Sequence, residues 1–164
     1  MKDARCTAAQ ALMRQYSANA YSNLVIEPLI AKNRLSPRDA AFASALFYTA
    51  LERMLTLDHI LQRYSSRPPE KLDPAVRAAL QLGLCQLLYM DGVDDYAAVN
   101  ESVSLTKTLG AAKAAGMVNG VLRSFLRDGK EILPVKGKKA ELQGLNLIPV
   151  EVKQVQNNQN AQAK

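Results

Sequence analysis

Apolar side chains recur up to Gly129 at the three- and four-residue spacing of amphipathic helices. One such stripe predicts a first helix over Asp3–Ala20, and its apolar face holds Cys6, Ala9, Leu12, Met13, Tyr16 and Ala20. The next apolar segment, "SNLVIEPLIAKN", contains Pro28, which lacks a backbone donor and clashes with the preceding turn. We therefore predict a short second helix that is broken or kinked near Pro28.

Capping residues and prolines mark the starts of further helices. "SPRD" combines Ser36, a good side-chain cap, with a proline suited to the first helical position. A short helix follows in "LDHILQRY", and "SSRPPEKL" reads as a loop. Asp73-Pro74 repeats the start signal before Ala75–Met90, a segment that is apolar on nearly every face. That pattern is typical of a central, buried helix.

Two more helices follow the turn "DGVDD". Asp94 or Asp95 can cap the first of them, and Gly110 stops it. The second spans Ala112–Arg127, and after it the helical stripe is lost. The C-terminal segment is polar and ends in the low-complexity run "QNNQNAQAK", which is typical of a disordered tail.

Composition agrees with one helical domain. Of the 164 residues, 48% are hydrophobic but only 5% are aromatic, so the core must be aliphatic and rich in alanine. No strand alternation interrupts the helical pattern. We therefore expect an all-α fold of about six or seven helices over residues 1–129, followed by a polar, disordered tail over residues 130–164.

The chain offers little catalytic chemistry. Its single histidine, His59, is explained more simply as a core or surface side chain than as a catalytic group. Cys6 and Cys85 are far apart in apolar patterns, which favours buried reduced thiols over a disulfide or a metal site. The N terminus lacks the pattern of a signal peptide, and no apolar run is long enough for a membrane helix. We expect no catalytic residues, no metal, no cofactor and a cytoplasmic location.

Basic residues give a net charge of +6, from 21 Lys and Arg against 15 Asp and Glu. Solvation of a helical surface is the simplest explanation of such residues, but phosphate contacts to RNA would need the same side chains. Several lie at helix starts and in connections: Lys2, Arg5, Arg34, Arg38, Arg63, Arg67 and Lys71. Others lie on helix faces: Lys107, Lys113, Arg123 and Arg127. Stacking aromatic residues, which single-stranded RNA often requires, are scarce.

The stretch "DPAVRAALQLGLCQLLYMDGVDDYAAVNESVSLTK", followed by "GMVNGVLRSFLR", closely resembles the NusB family. More narrowly, it resembles the NusB-like N-terminal module of bacterial rRNA cytosine-5 methyltransferases of the Sun/Fmu (RsmB) type. The resemblance covers Ala4 to Arg127. It implies two small helical bundles packed together, with no enzymatic site of their own. It also implies RNA binding through a basic N-terminal helix, and a small ribosomal protein as partner in transcription antitermination.

The resemblance implies RNA contacts at the basic N-terminal positions, Lys2 and Arg5. To these we add Arg38, Arg123 and Arg127 as candidate RNA-binding residues. The chain departs from the family where Ala40 replaces an arginine after "SPRD". It also departs after "EILP", where the methyltransferases continue into a domain that binds S-adenosylmethionine.

The expected function is therefore that of an RNA-binding module, not an enzyme, which acts on rRNA or its leader in rRNA maturation or in transcription antitermination. One alternative is a module that docks a ribosomal protein. Another is a detached N-terminal piece of an rRNA methyltransferase, acting with a separate methyltransferase chain.

Three polar residues stand inside apolar stretches near the C-terminal end of the helical region. Asn100 and Glu101 lie in "YAAVNESVSLTK", and Asn119 lies in "MVNGVLRSFLR". The simplest interpretation is a structural polar contact between the last two helices, or from them to loop backbone. Gly120 would then allow the two helices to approach closely.

Overall fold

The structure, a computed structural model, describes residues 3–18 and 22–132, which form seven α-helices and no strand. The helices are α1 (Ala4–Ser17), α2 (Ser22–Lys32), α3 (Pro37–Glu52), α4 (Met54–Tyr64), α5 (Pro74–Tyr89), α6 (Asp95–Thr108) and α7 (Ala115–Arg127). Short 3₁₀ helices at Pro69–Lys71 and Ala112–Ala114 precede α5 and α7. The predicted all-α fold is confirmed. Apart from residues 130–132, the predicted tail lies outside the described residues.

Side-chain caps begin three helices at the predicted positions. Ser36 caps α3, Asp73 caps α5 and Asp94 caps α6. Each accepts a hydrogen bond from a backbone N–H of the first turn, at 2.8 to 3.2 Å. Of the two candidates for α6, Asp94 is therefore the cap, and Asp95 is the first helical residue. These bonds satisfy N–H groups that have no partner within the helix.

Of the break or kink predicted near Pro28, the break does not occur, because α2 continues through the proline as one helix. A proline inside a helix removes one backbone hydrogen bond and costs about 3 kcal/mol. Packing offsets that cost: Val25, Ile26 and Leu29, on either side of the proline, are at most 7% exposed. Burial of three aliphatic side chains contributes more than the proline removes, at about 1.5–3 kcal/mol each.

The seven helices pack as two sub-bundles that share a central helix. Helices α1, α2 and α3 contact one another, while α4, α6 and α7 pack around α5. Helix α5 also packs against α1 and α3, and every residue from Ala78 to Leu88 is buried. The predicted central, buried helix is confirmed, and it completes the cores of both sub-bundles.

Gly83 lies where α5 meets both α6 and α7. A Cβ atom added to Gly83 would lie 2.7 Å from Leu122 Cδ1 on α7 and 2.8 Å from Ser102 Oγ on α6. Non-bonded carbon–carbon and carbon–oxygen pairs do not pack at such distances, so the absence of a side chain at Gly83 permits the close approach. A Cβ atom added to Gly120 would lie within 4 Å of no atom of another described helix. The expectation for Gly120 is therefore wrong, and Gly83 is the glycine on which helix packing depends.

A polar network joins the two sub-bundles across α1, α4 and α5. Asp58 on α4 accepts hydrogen bonds from Arg77 Nη2 at 2.9 Å and from Gln81 Nε2 at 2.6 Å. Gln81 Oε1 in turn accepts a hydrogen bond from the Tyr16 hydroxyl on α1. The Arg77 guanidinium also lies 4.3 Å from the centroid of the Tyr16 ring. These four side chains tie α1 to the other sub-bundle through partly or fully buried polar contacts.

Buried tyrosine hydroxyls should make the fold sensitive to alkaline pH. Burial raises the pKa of Tyr16, and it raises the pKa of Tyr89 to about 12. The folded state holds these hydroxyl protons more tightly than the unfolded chain does. The protonated hydroxyls therefore contribute fully to the stability of the fold below about pH 10, and this contribution is lost as the pH rises through about 12. We therefore expect the urea midpoint to fall between about pH 9 and about pH 11, and Tyr16→Phe to reduce that fall.

Tyr96, which is 65% exposed, supplies the control for this titration. Tyr96→Phe removes a hydroxyl of the same type from the surface, so the fall in the urea midpoint should stay as large as in the parent chain. Equal falls in the parent, Tyr16→Phe and Tyr96→Phe chains would contradict the assignment to the buried hydroxyl.

Candidate nucleic-acid interface

Arg5 is held on α1 by contacts to α3 and α5. Its Nε donates to Gln86 Oε1 on α5 at 2.7 Å, and its guanidinium lies 5.1 Å from the centroid of the Phe42 ring on α3. Gln86 is itself oriented by the hydrogen bond that its Nε2 donates to Leu82 O at 2.9 Å. In the part of the chain that the structure describes, the terminal nitrogens of Arg5 donate to no protein oxygen. They form a fixed edge that suits a phosphate.

A cavity of about 60 Å³ lies between the start of α1 and the C-terminal half of α6. It is lined by Asp3, Arg5, Cys6, Glu101, Ser104, Leu105 and Thr108. Glu101 therefore lies beside α1. The sequence had instead suggested that Glu101 takes part in a polar contact between the last two helices, or from them to loop backbone. Two carboxylates beside Arg5 lower the positive potential there, so Arg5 cannot be the whole of an RNA-binding site.

Asn100 and Asn119 do not form the suggested contact between α6 and α7. Asn100 is exposed on α6, and the Oδ1 of Asn119 accepts a hydrogen bond at 3.0 Å from Arg123 Nε, one turn later in α7. The buried polar side chains of α6 are Ser102 and Thr106. Their hydroxyls donate to carbonyl oxygens one turn earlier in the same helix, at 2.7 and 2.8 Å. A hydroxyl satisfied within its own helix can face the core without a partner on another helix.

The connection between α2 and α3 is anchored on α1. Asn33 Nδ2 donates to Thr7 Oγ1 at 2.8 Å and to Gln10 Oε1 at 3.1 Å. The connection and its flanks carry three exposed cations, which we call the α2–α3 basic patch: Lys32, Arg34 and Arg38. None of the three forms an ion pair with another described residue. Their charge is therefore free to interact with a ligand.

Arg38 links this patch to the surroundings of Arg5. Arg38 precedes Phe42 by four residues on α3, so the two side chains share one face of that helix. Phe42 is the ring over which the Arg5 guanidinium lies. Arg38 thus lies one turn before the ring that Arg5 contacts, which relates two of the predicted RNA-binding residues through Phe42.

Arg123 and Arg127 occupy a different part of the molecule. Both are exposed, and they lie one turn apart on α7, which packs against α4, α5 and α6. Arg127 Nη2 donates to Ser124 Oγ at 2.9 Å. The predicted RNA-binding residues therefore fall into two groups, one on each sub-bundle. The fifth of them, Lys2, lies outside the described residues.

Phe42 and Gln86 hold Arg5 in place, but sequence reasoning did not single them out. Gln86 is 81 positions away from Arg5, so no local spacing relates the two. One signal was present: a buried amide inside an otherwise apolar helix must find a hydrogen-bond partner. That rule predicts that Gln86 has a partner, but it does not say which helix supplies the partner.

His59 and the two cysteines belong to the interior. His59 on α4 is 4% exposed, and Cys6 and Cys85 are buried thiols. Among residues 3–18 and 22–132, no three His, Cys, Asp or Glu side chains are grouped so that they could hold a metal ion. Over the same ranges, every helix is too short or too polar to cross a lipid bilayer.

A model of the NusB family matches residues 2–127 of the chain. The probable ribosomal RNA small subunit methyltransferase B of Bacillus subtilis (strain 168) is 36% identical over 125 residues, which are 76% of this chain and 28% of the relative. The probable ribosomal RNA small subunit methyltransferase B of Synechocystis sp. is 39% identical over 118 residues. Those residues are 70% of this chain and 26% of the relative. The chain thus spans about a quarter of the length of these two methyltransferases.

The transcription antitermination protein NusB of a Nitratiruptor species is 30% identical over 105 residues. The match covers 63% of this chain and 75% of that protein. A chain in the crystal structure of the antitermination factors NusB and NusE in complex with dsRNA superposes with a TM-score of 0.71. It is 24% identical, and the match covers 77% of this chain and 96% of that chain.

The solution structure of NusB from Aquifex aeolicus gives a TM-score of 0.64 at 24% identity, over 83% of this chain and 96% of that one. The two structural matches show that the folds are shared. The sequence match extends from residue 2, two positions before α1 begins, to Arg127, the last residue of α7. The chain belongs to the NusB family.

Proposed function

We propose that the chain is an RNA-binding module of the NusB type that acts in the cytoplasm, in rRNA maturation or in transcription antitermination. The observation that carries the proposal is the α2–α3 basic patch, whose three cations are exposed and form no ion pair with another described residue. The relatives support it, because one is NusB in complex with dsRNA and others are methyltransferases named for ribosomal RNA. In this proposal the module recognises RNA, and methyl transfer belongs to another polypeptide or region.

RNA would be bound mainly through its phosphates. The terminal edge of Arg5 and the side chain of Arg38 provide contacts on the first sub-bundle, and Lys2 is a further proposed contact. Arg123 and Arg127 provide contacts on the second. Described aromatic side chains with large exposure are few, so base stacking contributes less than phosphate neutralisation. An RNA that reaches both groups must extend across the bundle, which favours a structured RNA over a short single strand.

Affinity for structured RNA should fall steeply with salt. If about three or four phosphates are neutralised, released counterions weaken binding roughly 40- to 150-fold between about 50 and about 200 mM salt. Filter binding with a boxA-like RNA and a structured rRNA fragment measures this slope. Arg38→Ala should lower the magnitude of the slope by about 1. Lys113→Ala, which removes an exposed cation before α7, is the control and should leave the slope unchanged. Binding no tighter than that of an unrelated helical protein of similar charge would refute the proposal.

A second candidate function is docking of a protein partner. Large apolar side chains are exposed on three helices: Leu24 on α2 is 62% exposed, Leu55 on α4 is 74% exposed and Tyr96 on α6 is 65% exposed. The partner would be a ribosomal protein, or a separate chain that carries the methyltransferase domain. A pull-down that returns such a partner after nuclease treatment, together with salt-independent RNA binding, would favour this candidate over the first.

A further inference from the structure

Three helices end with the same pattern of backbone hydrogen bonds. After α2, α6 and α7, one residue takes a positive φ and donates its N–H to the carbonyl three residues earlier. The next residue donates its N–H to the carbonyl five residues earlier. This is the Schellman motif, in which the residue of positive φ is usually glycine. After α6 it is Gly110 (φ 86°), after α7 it is Gly129 (φ 74°), and after α2 it is Arg34 (φ 54°).

Arg34 stands where the backbone favours glycine. A side chain with a Cβ is strained at positive φ, because the Cβ crowds the following carbonyl oxygen. The two motif hydrogen bonds after α2 measure 3.2 and 3.3 Å, whereas the four after α6 and α7 measure 2.9 to 3.0 Å. The α2 end is thus looser than the two glycine ends of the same molecule. A strained residue of this kind calls for an explanation in function or in local bonding.

Local bonding accounts for the other non-glycine residue with positive φ, but not for Arg34. Lys130 (φ 60°) donates from Nζ to Asp95 Oδ1 at 2.9 Å and to Leu87 O at 3.1 Å. The Arg34 side chain is exposed and makes no hydrogen bond or ion pair with the rest of the described chain. A cation is favourable near a helix C terminus, but Lys32 already supplies one in the last turn of α2.

We propose that Arg34 is a phosphate contact at the centre of the α2–α3 basic patch, an inference that rests on the proposed RNA-binding function. Lys32, Arg34 and Arg38 are all exposed, and the one acidic residue between positions 28 and 40 of the sequence is Asp39, in the first turn of α3. A guanidinium binds a phosphate through two parallel N–H donors. The two hydrogen bonds of Asn33 to α1 hold the connection in place, so little ordering is required when RNA binds.

The test compares thermal stability and RNA binding in Arg34→Gly, Arg34→Lys and the parent chain. Arg34→Gly relieves the strain and removes the charge. We expect its Tm to rise by about 2–4 °C, because glycine removes the strain of a single residue with an unfavourable φ. Its affinity for structured RNA should fall roughly three- to tenfold, and the magnitude of its salt slope should fall by about 1. Arg34→Lys keeps both charge and strain, so its Tm and its slope should match those of the parent.

Lys113→Ala is the matched control, because it removes one exposed cation outside the patch. Its RNA affinity should stay within about twofold of the parent value. If the parent chain shows no salt-dependent RNA binding, the proposed function fails, whatever Arg34 does. If the parent binds and Arg34→Gly binds equally well, the assignment of Arg34 is overturned. A lower Tm in Arg34→Gly would also overturn the assignment, because the Arg34 side chain would then be shown to stabilise the C-terminal end of α2.

Discussion

Replacing Gly83 with valine should destabilise the fold by about 3 kcal/mol. Even the first carbon of the new side chain would lie 2.7 Å from Leu122 Cδ1 and 2.8 Å from Ser102 Oγ. Neither neighbour can move aside cheaply, because Leu122 and Ser102 are at most 1% exposed. The Ser102 hydroxyl also donates to Ala98 O at 2.7 Å, so displacing it breaks a buried hydrogen bond. Overpacking of a close-packed core typically costs about 1–3 kcal/mol, and valine adds two further methyl groups beyond the clashing atom.

Gly120→Ala is the matched control for Gly83→Val. Both glycines lie inside helices, but a Cβ at the exposed Gly120 has no atom within 4 Å. Alanine there should stabilise the protein by about 0.5–1 kcal/mol, since it lowers the backbone entropy of the unfolded chain. Urea unfolding followed by circular dichroism measures both effects, with unchanged m-values as the check on two-state behaviour. A free energy of unfolding for Gly83→Val within about 1 kcal/mol of the parent would show that α6 and α7 yield at this point.

Asp58→Ala should also destabilise the protein by about 3 kcal/mol. The substitution leaves Gln81, which is fully buried, without the acceptor for its Nε2. It also leaves the Arg77 guanidinium, whose side chain is 18% exposed, without its ion-pair partner. Among the residues that the structure describes, the Arg77 Nε is already buried without a hydrogen bond, so the guanidinium would lose further partners. Breaking such a pair is expensive because one charge stays behind, unpaired and poorly solvated.

A double-mutant cycle separates this effect from a general loss of packing. In Asp58→Ala combined with Arg77→Met the stranded charge is gone, so the double variant should recover about half of the loss. Glu52→Ala is the control, because Glu52 is 68% exposed and lies 3.8 Å from Arg53. Exposed pairs of this kind contribute about 0–1 kcal/mol. If Asp58→Ala costs no more than Glu52→Ala, the network is not what couples the two sub-bundles.

The features that sequence predicted well are those whose physics is local. The caps Ser36, Asp73 and Asp94 were predicted because a capping side chain and the N–H groups that it satisfies lie within three residues of each other. The burial of α5 followed from its apolar residues on every face. In each case the interacting groups are neighbours in sequence, so their spacing carries the information.

The features that sequence did not predict depend on which helix faces which. Gly83 and Gly120 both stand inside helical patterns, and only the packing of α6 and α7 against α5 distinguishes them. Asn100 and Asn119 both lie beside valines, yet a small rotation of a helix decides whether such a residue points into the core. Local rules predict a break or kink at Pro28 because they give the cost of the proline but not the burial that offsets it.

The candidate interface shows the same division. Its charges could be read from the sequence, but their pairing could not. Arg5 is partly engaged by Gln86, whereas Arg38 is exposed and unpaired among the described residues. The division of the cations between two sub-bundles likewise became visible only when the helices were assembled.

The shared helix α5 also determines how the chain loses its structure. Its residues from Ala78 to Leu88 complete both cores at once, and the Tyr16 network fastens α1 to the same helix. Neither sub-bundle therefore has an apolar interior that is complete without the other. We therefore expect the seven described helices to unfold as a single cooperative unit, because opening one sub-bundle exposes the core of the other.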